Sequence, residues 1–298
     1  MSRWSLRPEV MLEADAAGGV TLVDPLFERA FVLPAAEVAA LDAAEPEALA
    51  RLDTMHLRAT PETDAFRRAA WFARLRPSPS TSTPAPHDAA TVLAAATAAA
   101  RLPWTPAWRS PERWRRLLER GLTSPAPLRL PGLFPTPLVR AAAAQAAAAE
   151  HERLATALLK AERAPVSEAT GGALGALRAA LDAPAFRRAC GIALGRTLDG
   201  PLHLNAWHLA PGEAMGIHPD GASYAGTVVV GLNRGWRAAD GGAIAFGVPR
   251  GEGLAVSDRW LPEAGDVLLF APTPFTWHCV EPTRRERRTL SGWWISAS

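Results

Sequence analysis

The stretch that decides the fold runs from Ala214 to Asn233, "AMGIHPDGASYAGTVVVGLN". An imidazole and a carboxylate stand two positions apart at His218 and Asp220, and a β-branched run, Thr227 to Val230, follows them. Alternate residues of a strand face the same way, so both side chains project to one side, about 6–7 Å apart along the backbone. That spacing suits two ligands of one metal ion. An H-x-D tripeptide is common by chance, so its surroundings have to carry the reading.

Outward from this stretch the texture is that of strands. "LHLNAWHLA" (202–210), "GTVVVGLN" (226–233), "GGAIAFG" (241–247), "DVLLFA" (266–271), "WHCVEP" (277–282) and "RRTLSGWWIS" (287–296) are separated by Gly, Pro and Asp turns. So many short strands in fewer than about 100 residues imply an antiparallel sandwich or barrel, with the preceding helices packed against it. Upstream the sequence is rich in alanine, the strongest helix former. A helix is expected from about 88 to 101, and the tryptophans of "LPWTPAWRSPERWRRLLERGL" (102–122) read as packing anchors at helix ends. A strand, a turn and one long helix are expected over 128–162, and a further helix over 171–195.

Near the N-terminus, "RPEVMLEADAAGGVTLVDPLFERAFVL" (7–33) is broken by AAGG and DP turn signals, which predicts a small antiparallel meander. "PAAEVAALDAAEPEALARL" (34–52) opens with proline and has helical spacing. "PSPSTSTPAPHD" (77–88) reads as a linker or surface loop. The expected organisation is therefore α+β: a small module at 1–76, a linker and Trp-rich helical segment at 77–126, and a strand-rich domain at 127–298.

Of the 298 residues, 48% are hydrophobic and 21% charged, which suits a globular protein with ample core. The net charge of +2 is spread through interspersed Arg and acidic residues, so nothing points to nucleic acid. No stretch approaches the ~20 apolar residues of a membrane span, and the start lacks a secretory core, so a cytoplasmic location without membrane attachment is expected. Two cysteines, Cys190 and Cys279, make neither a disulfide framework nor a CxxC zinc pair.

A third ligand has to come from His56, His87, His151, His203, His208 or His278. The first three fall in helical or linker sequence and read as surface residues. His208 reads as a hydrogen-bonded rim histidine, although its strand could bring it near the cavity. His278 starts a late strand after a "PTP" turn. Two imidazoles and one carboxylate on one side of a metal leave the other side open, the pattern of a non-haem Fe(II) oxygenase. In "RRERRTLSGWW" (284–294), Arg287, Thr289 and Ser291 share one strand face, and Arg288 and Leu290 the other. A guanidinium turned into a barrel requires a carboxylate, which a ligand could supply. Arg284 and Arg285 read as a solvated turn.

Together, "PGEAMGIHPD" (211–220), "GLNRGWRAADGGAIAFG" (231–247), "PEAGDVLLFAPTPFTWHCVEP" (262–282) and "RRTLSGWW" (287–294) resemble the Fe(II)/2-oxoglutarate-dependent dioxygenases, in particular their prolyl-hydroxylase-like branch. The resemblance covers about residues 127–298 and implies a double-stranded β-helix (jelly-roll) core. It implies that His218, Asp220 and His278 hold Fe(II), and that Arg287, with Thr289 assisting, binds the distal carboxylate of 2-oxoglutarate. Register favours Arg287, three residues before the apolar Leu290, over its neighbour Arg288. Leu209 stands where the family often has a co-substrate-binding Tyr, a loss that Trp207 or Thr227 could make good. The implied reaction couples decarboxylation of 2-oxoglutarate by O2 to hydroxylation of a substrate, and retention of Asp220 favours this over halogenation.

The N-terminal "RPEV", meander and "VLPAAEVAALD" are similar to the PqqD-like, winged-helix-type modules that grip leader peptides. That resemblance implies a leader-peptide partner and hydroxylation of an amino-acid side chain in a peptide or protein. The alternatives are an oxygenase of a free amino acid or small metabolite, and a non-catalytic β-helix binding protein.

Overall fold

A computed structural model describes residues 3–6, 10–24, 29–55, 57–58, 87–124, 126–155, 159–220, 224–250, 253–273 and 276–296. The N-terminal strands β1 (Met11–Ala14), β2 (Val20–Asp24) and β3 (Arg29–Leu33) form an antiparallel meander in that order. Helices α1 (Ala35–Asp42) and α2 (Pro46–Thr54) follow, so the expected meander and helix are both present. Their apolar faces form a separate core that includes Val20, Leu22, Leu33, Leu41 and Leu52. His56 and most of the Pro/Ser/Thr stretch lie outside the described residues.

The alanine-rich segment forms α3 (Ala89–Ala100), capped where the Asp88 carboxylate accepts from Thr91 N at 2.6 Å. Helix α4 (Pro111–Thr123) follows, then β4 (Leu128–Leu130) and α5 (Thr136–Ala147). Trp104, Trp108 and Trp114 are buried as anchors, and each indole N–H donates to a backbone carbonyl, of Ala99, Pro131 and Trp108 respectively, at 2.8 Å. Trp104 also meets Phe134 edge-on at 5.3 Å, which joins this layer to the start of α5.

Two helix expectations need correction. Over 128–162 the expected strand and turn are present, but the long helix stops at Ala147, and the residues after it form strands β5 (Glu152–Ala155) and β6 (Lys160–Pro165). Those residues could continue a helix on propensity alone. Pairing of β6 with the next strand of the sheet wins, because it buries Ala161 and Ala164 and satisfies the backbone in a ladder. The helix expected over 171–195 is two helices, α6 (Gly172–Asp182) and α7 (Pro184–Leu194). Pro184 drives Ala183 out of the helical region to φ −57°, ψ 131°, and then starts the second helix at its first position.

The remaining strands are β7 (Leu202–Leu209), β8 (Met215–His218), β9 (Tyr224–Gly231), β10 (Ile244–Arg250), β11 (Gly253–Trp260), β12 (Val267–Phe270), β13 (His278–Val280) and β14 (Arg287–Ile295). They build a seven-stranded sheet, β4-β12-β9-β14-β7-β6-β5, and a four-stranded sheet, β11-β10-β13-β8, all antiparallel. Two-residue periodicity divides the larger sheet between two cores. Leu204, Ala206, Val228, Val230, Leu290 and Trp294 pack on the helices, whereas Trp207, Leu209, Val229, Leu268 and Phe270 join Phe246 and Val280 of the smaller sheet. Helices on one side and a second sheet on the other are consistent with a double-stranded β-helix core. Strand β11 was not singled out from sequence. It is an edge strand whose "SDRW" end is polar, and among the described residues it pairs with β10 alone.

Candidate metal centre

His218 ends β8 and His278 begins β13, and the antiparallel register places the two directly opposite each other. Their ring centroids are 4.4 Å apart. Pro219, which has no N–H to continue the ladder, follows His218, and Asp220 stands just past the strand end. Backbone carbonyls accept from Nδ1 of both rings, Gly216 O from His218 at 2.8 Å and Thr276 O from His278 at 2.9 Å. Because a carbonyl only accepts, the proton sits on Nδ1 and the Nε2 lone pairs are left free. Asp220 Oδ1 lies 4.0 Å from His218 Nε2 and 3.9 Å from His278 Nε2. The three ligand atoms all fall within 4.8 Å of one another, so the expected residues do meet. Adjacent donors on an ion with ~2.1 Å bonds stand about 3 Å apart, so only small side-chain movements separate this triangle from a closed set.

The surroundings favour neutral imidazole, the form that binds metal. Burial, reinforced by the neighbouring His278, pushes the His218 imidazole down to about 4 against the opposing pull of Asp220. Phe246 and Phe270 flank the His278 ring at 5.6 and 5.0 Å and keep that side apolar. The other carboxylate oxygen, Asp220 Oδ2, accepts from the Thr227 hydroxyl at 2.5 Å. Thr227, expected as a co-substrate contact, is thus already bound to Asp220.

Arg287 is turned inward and is only 2% exposed, whereas Arg288 faces outward and pairs with Glu286 at 2.5 Å. The Arg287 Nε donates to Gly242 O at 2.7 Å and Nη1 to Thr289 Oγ1 at 3.2 Å, while Nη2 is buried without a partner. Burial lowers this guanidinium to about 9, the expected penalty for a cation that lacks a counter-charge. Trp207, on β7 opposite Thr289, also carries a buried indole N–H without an acceptor. The inward face of the sheet therefore holds a buried cation and a buried neutral donor, both with hydrogen-bonding capacity unmet among the described residues. It is suited to a carboxylate.

Two residues within the resemblance motifs turn out to be positioning elements, a role that the sequence left unassigned. Gly242 has φ +65°, and a Cβ there would lie 3.0 Å from Arg287 Cδ, so glycine both permits the turn and gives the guanidinium room. Asn233 holds the strand on either side of Arg287, since Nδ2 donates to Glu286 O at 2.8 Å and Oδ1 accepts from Arg288 N at 2.6 Å. The D-G-G and L-N motifs were the available signals. His208 is a rim residue, as expected, with Nδ1 against Glu162 at 2.8 Å and outside the triangle. Arg284 and Arg285 are exposed, and Arg285 pairs with Asp240 at 3.0 Å.

Residues 202–295 match the family model of the 2OG-Fe(II) oxygenase superfamily. This segment is a 2OG-Fe(II) oxygenase domain. The oxygenase uses Fe(II), 2-oxoglutarate and O2, and the protein is a 2-oxoglutarate-dependent dioxygenase. Its fold is similar to that of a prolyl-4-hydroxylase from Pseudomonas putida, with 24% identity, a TM-score of 0.52, and coverage of 61% of this chain and 100% of that one. A 2OG-Fe(II) oxygenase-family oxidoreductase from Burkholderia pseudomallei aligns at 19% identity and a TM-score of 0.47, covering 61% of this chain and 90% of that one. No curated protein matches the chain significantly. Among the described residues no helix is long and apolar enough to cross a membrane.

The donor set of the oxygenase domain fits its cofactors on two independent observations. Two imidazoles with free Nε2 atoms and one carboxylate oxygen suit a divalent iron. The orphaned Arg287 Nη2 suits a dicarboxylate.

Proposed function

We propose that the enzyme hydroxylates an amino-acid side chain, with His218, Asp220 and His278 as the iron ligands and Arg287 as the anchor of the 2-oxoglutarate distal carboxylate. The observation that carries this reading is the convergence of the three ligand atoms within 4.8 Å on one side of the sheet interior. Thr289 orients the guanidinium, and Trp207 donates its indole N–H to the same carboxylate in place of the phenol that Leu209 cannot supply. Fe(II) held there, with 2-oxoglutarate and O2, supplies the oxidising chemistry that inserts oxygen into a substrate C–H bond as succinate and CO2 are released. Phe246, Phe270 and the buried Val229 and Leu268 keep the pocket dry, which strengthens each charged contact within it.

The preferred substrate is a peptide or protein side chain. This rests on the prolyl-4-hydroxylase-like fold and on the N-terminal unit, whose separate apolar core and sheet edges at β1 and β3, unpaired with any further strand among the described residues, suit capture of an extended peptide as an added strand. Residues 77–126 then connect this unit to the oxygenase part at 127–298.

Incubation of the purified protein with Fe(II), O2 and 2-oxoglutarate should yield succinate, slowly in the absence of substrate. His278→Ala should abolish both iron binding and turnover while the circular dichroism spectrum is retained. Unchanged turnover in that variant rejects the ligand assignment. Calorimetric titration of the full chain with peptides encoded beside its gene tests the substrate class, and absence of heat with all of them rejects the leader-binding role.

A further inference from the structure

We infer that Thr227 is a positioning residue for the metal centre: its hydroxyl occupies one oxygen of Asp220 so that the carboxylate offers only the other to the ion. The inference rests on the proposed ligand set and concerns how one ligand is held. Asp220 lies beyond the end of β8, where no ladder fixes its side chain. Thr227, by contrast, is 3% exposed in the middle of β9, with Phe270 of β12 on one side and Trp293 of β14 on the other. A hydroxyl on a central strand is a fixed point, and it donates to Asp220 Oδ2 at 2.5 Å. Oδ1 is left as the oxygen nearest to both histidines, 4.0 Å from His218 Nε2 and 3.9 Å from His278 Nε2.

A carboxylate can bind a cation through one oxygen or through both, and the two modes consume different numbers of coordination positions. With Oδ2 committed to Thr227, the triangle would offer an ion one atom from each of three side chains and would leave its remaining positions open. Without the hydroxyl, rotation of the Asp220 carboxylate would allow both of its oxygens to bind an ion, with one fewer position left open. Hydrogen-bonding partners of ligating groups typically contribute 10–100-fold to metal affinity.

The test uses the full chain loaded with Co(II), whose visible absorption reports coordination number and symmetry without any turnover. Thr227→Val keeps the shape and removes the donor, and Thr227→Ser restores the donor. Thr227→Val should weaken Co(II) binding about 10–100-fold, alter the Co(II) spectrum and weaken subsequent 2-oxoglutarate binding, while Thr227→Ser stays close to the parent protein in all three. Should Thr227→Val fail to fold, Thr227→Ala carries the same expectation. A valine or alanine variant with the parent's Co(II) affinity and spectrum overturns the inference. A change shared equally by the valine and serine variants overturns it too, since that would mean simple packing. Failure of the parent protein itself to bind Co(II) in a manner that depends on His218 and His278 would instead remove the ligand assignment.

Discussion

Replacing Arg287 with methionine should separate stability from co-substrate binding. In the free protein the guanidinium is buried with Nη2 unpaired, and burial has already pulled it down to about 9. Removing it relieves a desolvation penalty, yet deprives Gly242 O and Thr289 Oγ1 of a donor. Each of these two buried acceptors left without its donor costs about 1–3 kcal/mol, and removal of an uncompensated buried charge returns about 3–5 kcal/mol. The two nearly cancel, so the unfolding free energy of Arg287→Met should lie within about 2 kcal/mol of the parent. Binding has no such cancellation. The two N–H groups of Nη2 have no partner and are available to a carboxylate, and charge-assisted hydrogen bonds contribute about 1.5–3 kcal/mol each. Their sum, about 3–6 kcal/mol, corresponds to a roughly 10²- to 10⁴-fold loss of affinity at ~1.4 kcal/mol per decade. Anaerobic calorimetry of 2-oxoglutarate with the Fe(II)-loaded protein measures this loss directly. Thermal unfolding gives a second readout, because ligand at a hundred times its Kd stabilises by about 2.7 kcal/mol. The parent should show that gain, and Arg287→Met should show no more than about 0.4 kcal/mol at the same concentration. If Arg287→Met binds within threefold of the parent while Arg288→Met loses binding, the inward-facing register of β14 is refuted.

Two further outcomes test neighbouring claims. Trp207→Phe removes an unpartnered buried N–H and should leave stability unchanged while raising the 2-oxoglutarate Kd about tenfold, the value of one neutral hydrogen bond; an unaltered Kd in calorimetry excludes Trp207 as a co-substrate donor. Gly292→Ala places a Cβ 2.0 Å from His203 O on the adjacent strand β7, so urea unfolding should show a loss of about 3 kcal/mol, and an unchanged midpoint contradicts the β14–β7 register.

Local chemistry made much of this legible. Alternation in "LHLNAWHL" and "TVVV" specifies strands, and the β14 sequence "RRTLSGWW" assigns Arg287 and Thr289 to the face opposite Leu290 on periodicity alone. The break at Pro184 could have been read from the same rules, since the residue before a proline avoids the helical region. Strands β5 and β6 could not. "ERLA" and "KAERAP" carry helix formers, and only the pairing of β6 with β7, and of the edge strand β5 with β6, makes a ladder the better way to satisfy their backbone.

What the sequence determined by itself was the inventory: two imidazoles and one arginine at strand positions, one carboxylate two residues after the first imidazole, and alanine-rich helices to cover a sheet. What only the tertiary structure decided was which groups meet. His218 and His278 are 60 residues apart in the chain and become neighbours through the β8–β13 register. The Thr227 hydroxyl goes to Asp220 because β9 passes beside it, and the Arg287 Nη2 stays unpaired because the Gly241–Gly242 turn admits the guanidinium without bringing a carboxylate. Periodicity fixes the direction of a side chain relative to its own strand, whereas contacts between strands depend on register, a property of pairs that a single strand does not encode.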